Sequence, residues 1–293
     1  MQARLTAYPP SQAAITCPLD PGGTLRIGRA VGCGLRLDHP SISRAHAELE
    51  FREGAWHLRD LGSRNGSFID GIQVRDAALV HACWLRLGDL YCEFTPLSAA
   101  AAAAEASGLR QRRAQVTART ARLDGLQHLE DLLDASLRGV VELAQCERGF
   151  VLLAQGERFA IRASLALSAA QLSAQQFSGS VGAIRRALEQ RGSVVVNDIA
   201  LDPWLASRAS VVAAGLNALV CLPLLDGSRA LGAIYADRVR PGPAINTLDL
   251  ELLEAFAETA SLWIAARRSS DLLAGAEGAL QWDTIVAAHE AAA

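Results

Sequence analysis

The chain has 293 residues, 51% of them hydrophobic, and a formal net charge of −3. That length favours two domains over one, and so small a net charge offers no general attraction to nucleic acid. No apolar run approaches the ~18 residues that a membrane span needs, and residues 1–10 lack the apolar core of a secretory signal. A cytoplasmic protein is therefore expected. All 28 basic residues are arginine, a pattern of base composition that carries little functional weight. The cysteines Cys17, Cys33, Cys83, Cys92, Cys146 and Cys221 are scattered with no C-x-x-C pair, which predicts buried reduced thiols and neither a zinc site nor a disulfide framework.

Residues 1–97 read as many short strands. Arg4–Tyr8 and Ala13–Cys17 are separated by Pro9-Pro10. Leu25–Ile27 and Leu35–Leu37 alternate apolar and Arg side chains with the period of a half-buried strand. Further strand signals follow at Ala45–Phe51, Trp56–Arg59, Phe68-Ile69, Ile72–Val74, Trp84–Leu87 and Tyr91–Phe94. Turns at Glu53-Gly54, Asn65-Gly66, Asp70-Gly71 and Gly88-Asp89 divide them. Such spacing predicts an antiparallel β-sandwich with its binding residues on the loops at one end.

Three polar clusters occupy those loops: Gly28-Arg29, Ser41-Ile42-Ser43-Arg44-Ala45-His46, and Ser63-Arg64-Asn65-Gly66. Their chemistry suits a phosphate dianion. Arg29 offers a planar fork of donors, and Ser43 a hydroxyl together with its backbone N–H. The order Gly-Arg, Ser-x-x-His, Asn-Gly resembles the forkhead-associated (FHA) domain, a phosphothreonine-reading β-sandwich. The resemblance implies Arg29 and Ser43 as phosphate ligands and Asn65 as a clamp on the peptide backbone. It places Arg44 and Arg64 where they also reach the phosphate, with Ser63 beside them. It implies structural roles for Gly28, His46 and Gly66.

Residues 98–122 are low in complexity and are expected to form an Ala/Arg-rich linker helix joining the two domains. Six consecutive alanines are followed by Arg110, Arg112, Arg113, Arg119 and Arg122, with no acid between Leu109 and Arg122. A solvated linker or helix face is expected over a DNA-binding stripe, since no aromatics interleave and no helix-turn-helix pattern is present.

From Leu126 to Ala144 apolar residues recur at steps of three and four, the mark of an amphipathic helix. Gly149–Leu153 reads as a buried strand with Arg158–Ser164 as its partner. A helix over Val181–Gln190 is closed by Gly192, and Val194–Val196 is a short strand. The loop Leu201–Trp204 precedes two antiparallel strands, Ala218–Leu225 and Ala230–Asp237. A long helix from Leu248 to about Arg268 takes Asn246 or Thr247 as its N-cap. This order predicts an α+β domain with helices on one face of an antiparallel sheet.

Four segments of that region, Glu147–Leu153, Val194–Asp198, Ala218–Leu224 and Leu231–Tyr235, resemble the GAF domain, a sensory fold of signalling proteins. The resemblance implies a small molecule in a pocket beside the sheet, or none. No cofactor follows from the residues themselves. The family's cyclic-nucleotide signature is absent, Cys221 reads as a structural thiol, and His128 stands alone. Asp198 and Asp202 read as turn and cap residues, and Trp204 as core.

The expected organisation is an FHA domain over 1–97, the linker over 98–122, a GAF domain over 123–275 and a tail over 276–293. No nucleophile–base pair, carboxylate pair or metal-ligand cluster appears, so a non-enzyme is predicted. The expected function is a bacterial signalling or transcription-regulatory module. A threonine-phosphorylated protein is its expected partner, with a homodimer formed through the GAF helices, no direct nucleic-acid contact and no membrane. The rival reading makes the chain the regulatory half of a sigma-N activator ATPase, because Trp282–Glu290 resembles the lead-in to that ATPase domain. No G-x-x-x-x-G-K-[ST] phosphate loop follows it here.

Overall fold

A computed structural model describes residues 2–123, 125–126, 128–156, 158–173, 177, 179–197 and 216–275. The predicted turn at Asp198 and Asp202, Trp204, and the tail over 276–293 lie outside the described residues.

The first unit is a two-sheet sandwich. One sheet runs β2(Ile15–Leu19), β1(Gln2–Tyr8), β11(Leu90–Leu97), β10(Cys83–Leu87), β7(Ser67–Ile69), β8(Ile72–Val74). The other runs β4(Leu35–Arg36), β3(Thr24–Gly28), β5(Ala47–Arg52), β6(Ala55–Asp60), β9(Asp76–Leu79). Alternation along the strands sends Leu5, Leu85, Leu87 and Phe94 inward from the first sheet to meet Ile27, Leu49, Trp56 and Leu58 from the second. Two features depart from the sequence reading. β3 and β4 pair in parallel, so the sandwich is not wholly antiparallel. β9 is an added edge strand on β6, unmarked by the alternation that flags the others.

The linker is a continuous helix, α1(Ala99–Leu123). It is not simply a solvated face. Val116 and Leu123 are buried in the second core, while Arg112 pairs with Asp249 at 2.6 Å and Arg119 with Glu142. Positions 112, 116, 119 and 123 share one helical stripe, and the surrounding alanines and arginines hide that stripe from a hydrophobicity count.

The second unit is a five-stranded antiparallel sheet in the order β13(Arg158–Leu165), β12(Arg148–Gln155), β16(Arg229–Arg238), β15(Ala218–Asp226), β14(Val194–Val196). On one face, α2(Leu129–Leu143) and α4(Thr247–Gly275) bring Leu133, Leu137, Val140, Phe256 and Ile264 onto Val151, Val220, Leu222 and Ile234. Gly139 of α2 meets the Phe256 ring where a Cβ would sit 2.5 Å from it, which sets how closely the two helices approach. The opposite face is covered as well, contrary to the one-sided arrangement expected. There α3(Val181–Gln190) packs Ala183, Ile184 and Ala187 against Val194, Cys221 and Tyr235. The reason lies in β15, where every residue from Ala218 to Leu222 is buried; a strand apolar on both sides needs two covers.

Helix ends follow local chemistry. Ser180 Oγ accepts from the Ala183 N–H at the start of α3, and Arg191 at φ 52° ends it. Asn246 Oδ1 accepts from the Asp249 N–H, and Asp249 Oδ2 accepts in return from the Asn246 N–H, a reciprocal cap on α4.

Candidate functional site

Three loops converge at one end of the sandwich. Arg29 follows β3, Ser41–His46 precede β5, and Leu61–Gly66 lie between β6 and β7. Their backbones are joined directly: the Arg29 N–H donates to the Ser43 carbonyl at 2.9 Å, and the Ala30 N–H to the Arg44 carbonyl at 3.1 Å. So close an approach admits only glycine at position 28, where a Cβ would lie 2.3 Å from the Arg44 carbonyl oxygen.

His46 is fully buried at the centre of this junction. Its Nδ1 accepts from the Ser43 N–H at 3.2 Å. That leaves the proton on Nε2, which donates to the Gly66 carbonyl at 3.1 Å. Burial pushes the imidazole below its ordinary value, against the opposing pull of the Gly66 carbonyl and Asp60. A neutral ring with one donor and one acceptor is what the two loops require.

The third loop is folded around Asp60. Its carboxylate accepts from the Gly62 and Ser63 amides at 2.9 and 2.8 Å and from the Ser63 and Ser67 hydroxyls at 2.6 Å each. Burial pushes Asp60 up, but these donors together hold it below its ordinary value. Gly66 completes the turn at φ 78°.

Around this frame Arg29, Arg44, Arg64 and Asn65 are exposed and Ser43 is half-buried. None of the three guanidiniums forms an ion pair among the described residues. Ser43 Oγ accepts from the Arg64 N–H at 3.0 Å, which leaves its own O–H to donate elsewhere. Its backbone N–H, expected as a second donor, is spent on His46. Asn65 Nδ2 donates to the Ser41 carbonyl at 2.8 Å. Ser63 stands apart from the other expected peptide contacts: its hydroxyl donates to Asp60 and accepts from the Gly66 N–H at 3.0 Å, inside the loop. Arg29, Ser43, Arg44, Arg64 and Asn65 thus share one polar surface, and Gly28, His46, Ser63 and Gly66 lie in the frame beneath it. Exposed arginines beside a hydroxyl donor make that surface suited to an anion.

Sequence reading missed two parts of the frame. Ser41 Oγ accepts from the Asp89 N–H at 3.0 Å and lies 2.8 Å from His39 Nδ1, tying in the β10–β11 turn. Asp60 was the other. A Gly-Asp turn and an Asp three residues before a Ser are the signals that mark them.

In the second unit, the α3 face of the sheet is filled by aromatic side chains. Phe150 stacks on Tyr235 with centroids 4.9 Å apart and meets Phe177 edge-on at 5.7 Å. The Tyr235 hydroxyl accepts from the Ser180 N–H at 3.1 Å. Beside them Arg148 Nε donates to Asp237 at 2.6 Å, while burial still pushes Asp237 above the ordinary carboxylate range. Cys221 is fully buried in mid-strand, and His128 occupies the N-cap position of α2. Among the described residues no group of three His, Cys, Asp or Glu side chains is placed to hold a metal, and no helix is long and apolar enough to cross a membrane.

Comparison with known proteins agrees with this division. Family models match the FHA domain over residues 25–88 and the GAF domain over residues 128–264. The ABC transporter ATP-binding/permease protein Rv1747 of Mycobacterium tuberculosis is 37% identical over 65 residues, which are 20% of this chain and 8% of that protein. The FHA domain-containing protein FhaB of the same species is 37% identical over 71 residues, 24% of this chain. The match spans 46% of FhaB's own length. A solved GAF domain/HD domain protein from Geobacter sulfurreducens is 16% identical over 50% of this chain and 97% of its own, with a TM-score of 0.40. The protein accordingly joins an FHA domain to a following GAF domain, both of them regulatory and non-catalytic folds.

Proposed function

We propose that this protein docks threonine-phosphorylated partners through Arg29, Ser43 and Asn65. The observation that supports this most is the state of Ser43. Its oxygen accepts from the Arg64 N–H and its backbone N–H is taken by His46, so its hydroxyl proton is left to donate to a ligand. Arg29 would grip two phosphate oxygens with its guanidinium fork, with Arg44 and Arg64 adding charge. Asn65, its Nδ2 anchored on Ser41, presents Oδ1 to a backbone N–H of the bound peptide. Ser63 serves in this reading by holding the loop's shape.

The wider role follows from the pairing of the two domains. The FHA domain brings a product of a Ser/Thr kinase pathway to a cytoplasmic regulator, and the GAF domain senses a small ligand or dimerises.

A phosphothreonine-peptide library followed by calorimetry tests the site. A selected peptide should bind and its unphosphorylated form should not. Arg29→Ala should weaken binding roughly 10- to 100-fold, the scale of a charge-assisted hydrogen bond. Unchanged affinity in Arg29→Ala would remove the assignment.

A further inference from the structure

Three separate parts of the chain meet at Ile245–Asp249, two of them on its backbone and one on the Asp249 side chain. From the FHA domain, Ala14 donates its N–H to the Ile245 carbonyl and accepts from the Thr247 N–H, both at 2.9 Å. This is a parallel bridge opposite Asn246, and Ala13 beside it is buried in the GAF core. From the end of β14, Asn197 Nδ2 donates to the same Ile245 carbonyl at 2.9 Å, and its Oδ1 accepts from the Ile245 N–H at 2.6 Å. From the linker, Arg112 reaches Asp249 at 2.6 Å, and Asp249 in turn caps α4 through Asn246.

Ile245 is therefore the shared partner of Ala14 and Asn197. Two backbone hydrogen bonds and the buried methyls of Ala13 and Ala14 form a small contact, and contacts between domains of one chain are usually mobile unless large. Its persistence depends on how firmly Ile245 is held, and Asn197 holds both of its polar backbone groups. The FHA side is equally well connected. Ala14 closes the loop that leaves β1 at Tyr8, and Tyr8 pairs with Tyr91. Two residues earlier in the chain, Asp89 donates to Ser41, the residue that anchors Asn65. The docked loop and the polar surface thus lie at the same end of the sandwich.

We propose that Ile245–Asp249 is a coupling junction, in which the end of β14 controls through Asn197 whether the FHA domain stays seated on the GAF domain. A change at β14 that withdraws Asn197 removes both of its hydrogen bonds to the Ile245 backbone, leaving only the buried Ile245 side chain to hold that segment, and so loosens Ala14. The link runs both ways, because release of Ala14 equally weakens the hold on Ile245.

Hydrogen exchange on the full chain tests it, with Asn197→Ala and Ala13→Glu compared against the parent. The Ala14 and Thr247 amides should be protected in the parent and should exchange at least about tenfold faster in Asn197→Ala, which removes two hydrogen bonds from Ile245. Ala13→Glu, which forces a charge into the contact, should release the same two amides. Unchanged protection in β5 and β15 shows that both domains remain folded. Two results overturn the proposal. One is a parent in which Ala14 and Thr247 are already unprotected. The other is an Asn197→Ala protein that keeps both amides protected while Ala13→Glu loses them, since seating would then not depend on β14.

Discussion

His46 and Gly66 are joined across the FHA domain by a hydrogen bond of 3.1 Å from the imidazole Nε2 to the glycine carbonyl. The other ring nitrogen, Nδ1, accepts from the Ser43 N–H, so a single side chain spaces the second and third loops. His46→Ala leaves a buried donor and a buried acceptor unpaired as well as a void. A loss of about 2–4 kcal/mol in FHA-domain stability is expected from those combined costs, measured by denaturant unfolding with tryptophan emission. Weakened phosphothreonine-peptide binding should accompany it.

The same ring predicts a pH dependence with a definite sign. Burial lowers its folded value, so the unfolded chain takes up a proton first as pH falls. Stability from this group is complete above the ordinary histidine value of about 6.5. It is lost as pH drops from there through the lowered folded value. Thermal unfolding between pH 7.5 and 5 should show a falling midpoint for the parent. His46→Gln, which has no titrating group there, should show a shallower fall.

Ser43 and Ser63 separate contact from support. Ser43→Ala removes the hydroxyl that the proposed site assigns to phosphate, and a loss of roughly tenfold or more in peptide affinity is expected. Ser63→Ala strips a donor from Asp60 and an acceptor from Gly66. About 1–3 kcal/mol of stability should go, with a smaller change in affinity for the molecules that remain folded. Calorimetry and unfolding on both variants decide the assignment; equal affinity losses would place Ser63 on the peptide.

Glycine substitutions should split sharply by site. At Gly232 a Cβ would stand 1.9 Å from the Leu152 carbonyl oxygen across β12 and β16. Gly232→Ala should cost more than ~3 kcal/mol through forced separation of the two strands. At Gly108, within α1, a Cβ meets nothing within 4 Å. Gly108→Ala should stabilise by about 0.5–1 kcal/mol through helix propensity alone.

Thiol reactivity offers a test of the two cores. Cys92 and Cys221 are fully buried, and burial pushes each thiol up to about 12. At neutral pH neither should be alkylated in the native protein, and both should react on unfolding. Mass spectrometry of labelled peptides before and after denaturant reads this directly. Rapid native labelling of Cys221 would show that α3 does not stay on its face of the sheet.

Much of this molecule was determined locally, and local determinants are legible in a sequence. Alternation marked the strands around Leu25–Ile27 and Trp56–Arg59, three- and four-residue spacing marked α2, and α3 runs over Val181–Gln190 as its signals require. The loops carrying Gly28-Arg29, Ser43 and Asn65-Gly66 were evident because turns and anion chemistry both need particular side chains at particular places. Tertiary structure decided what depends on distant partners. It spent the Ser43 N–H on His46 and the Ser63 hydroxyl on Asp60, choices fixed by which donor lies within reach of which acceptor. It gave the arginine-rich linker helix one buried stripe, because Val116 and Leu123 find a core built with α2 and α4. It also brought Ala14 to Ile245, a meeting of two backbones 231 positions apart that no side-chain pattern announces, since a β-bridge uses groups common to every residue.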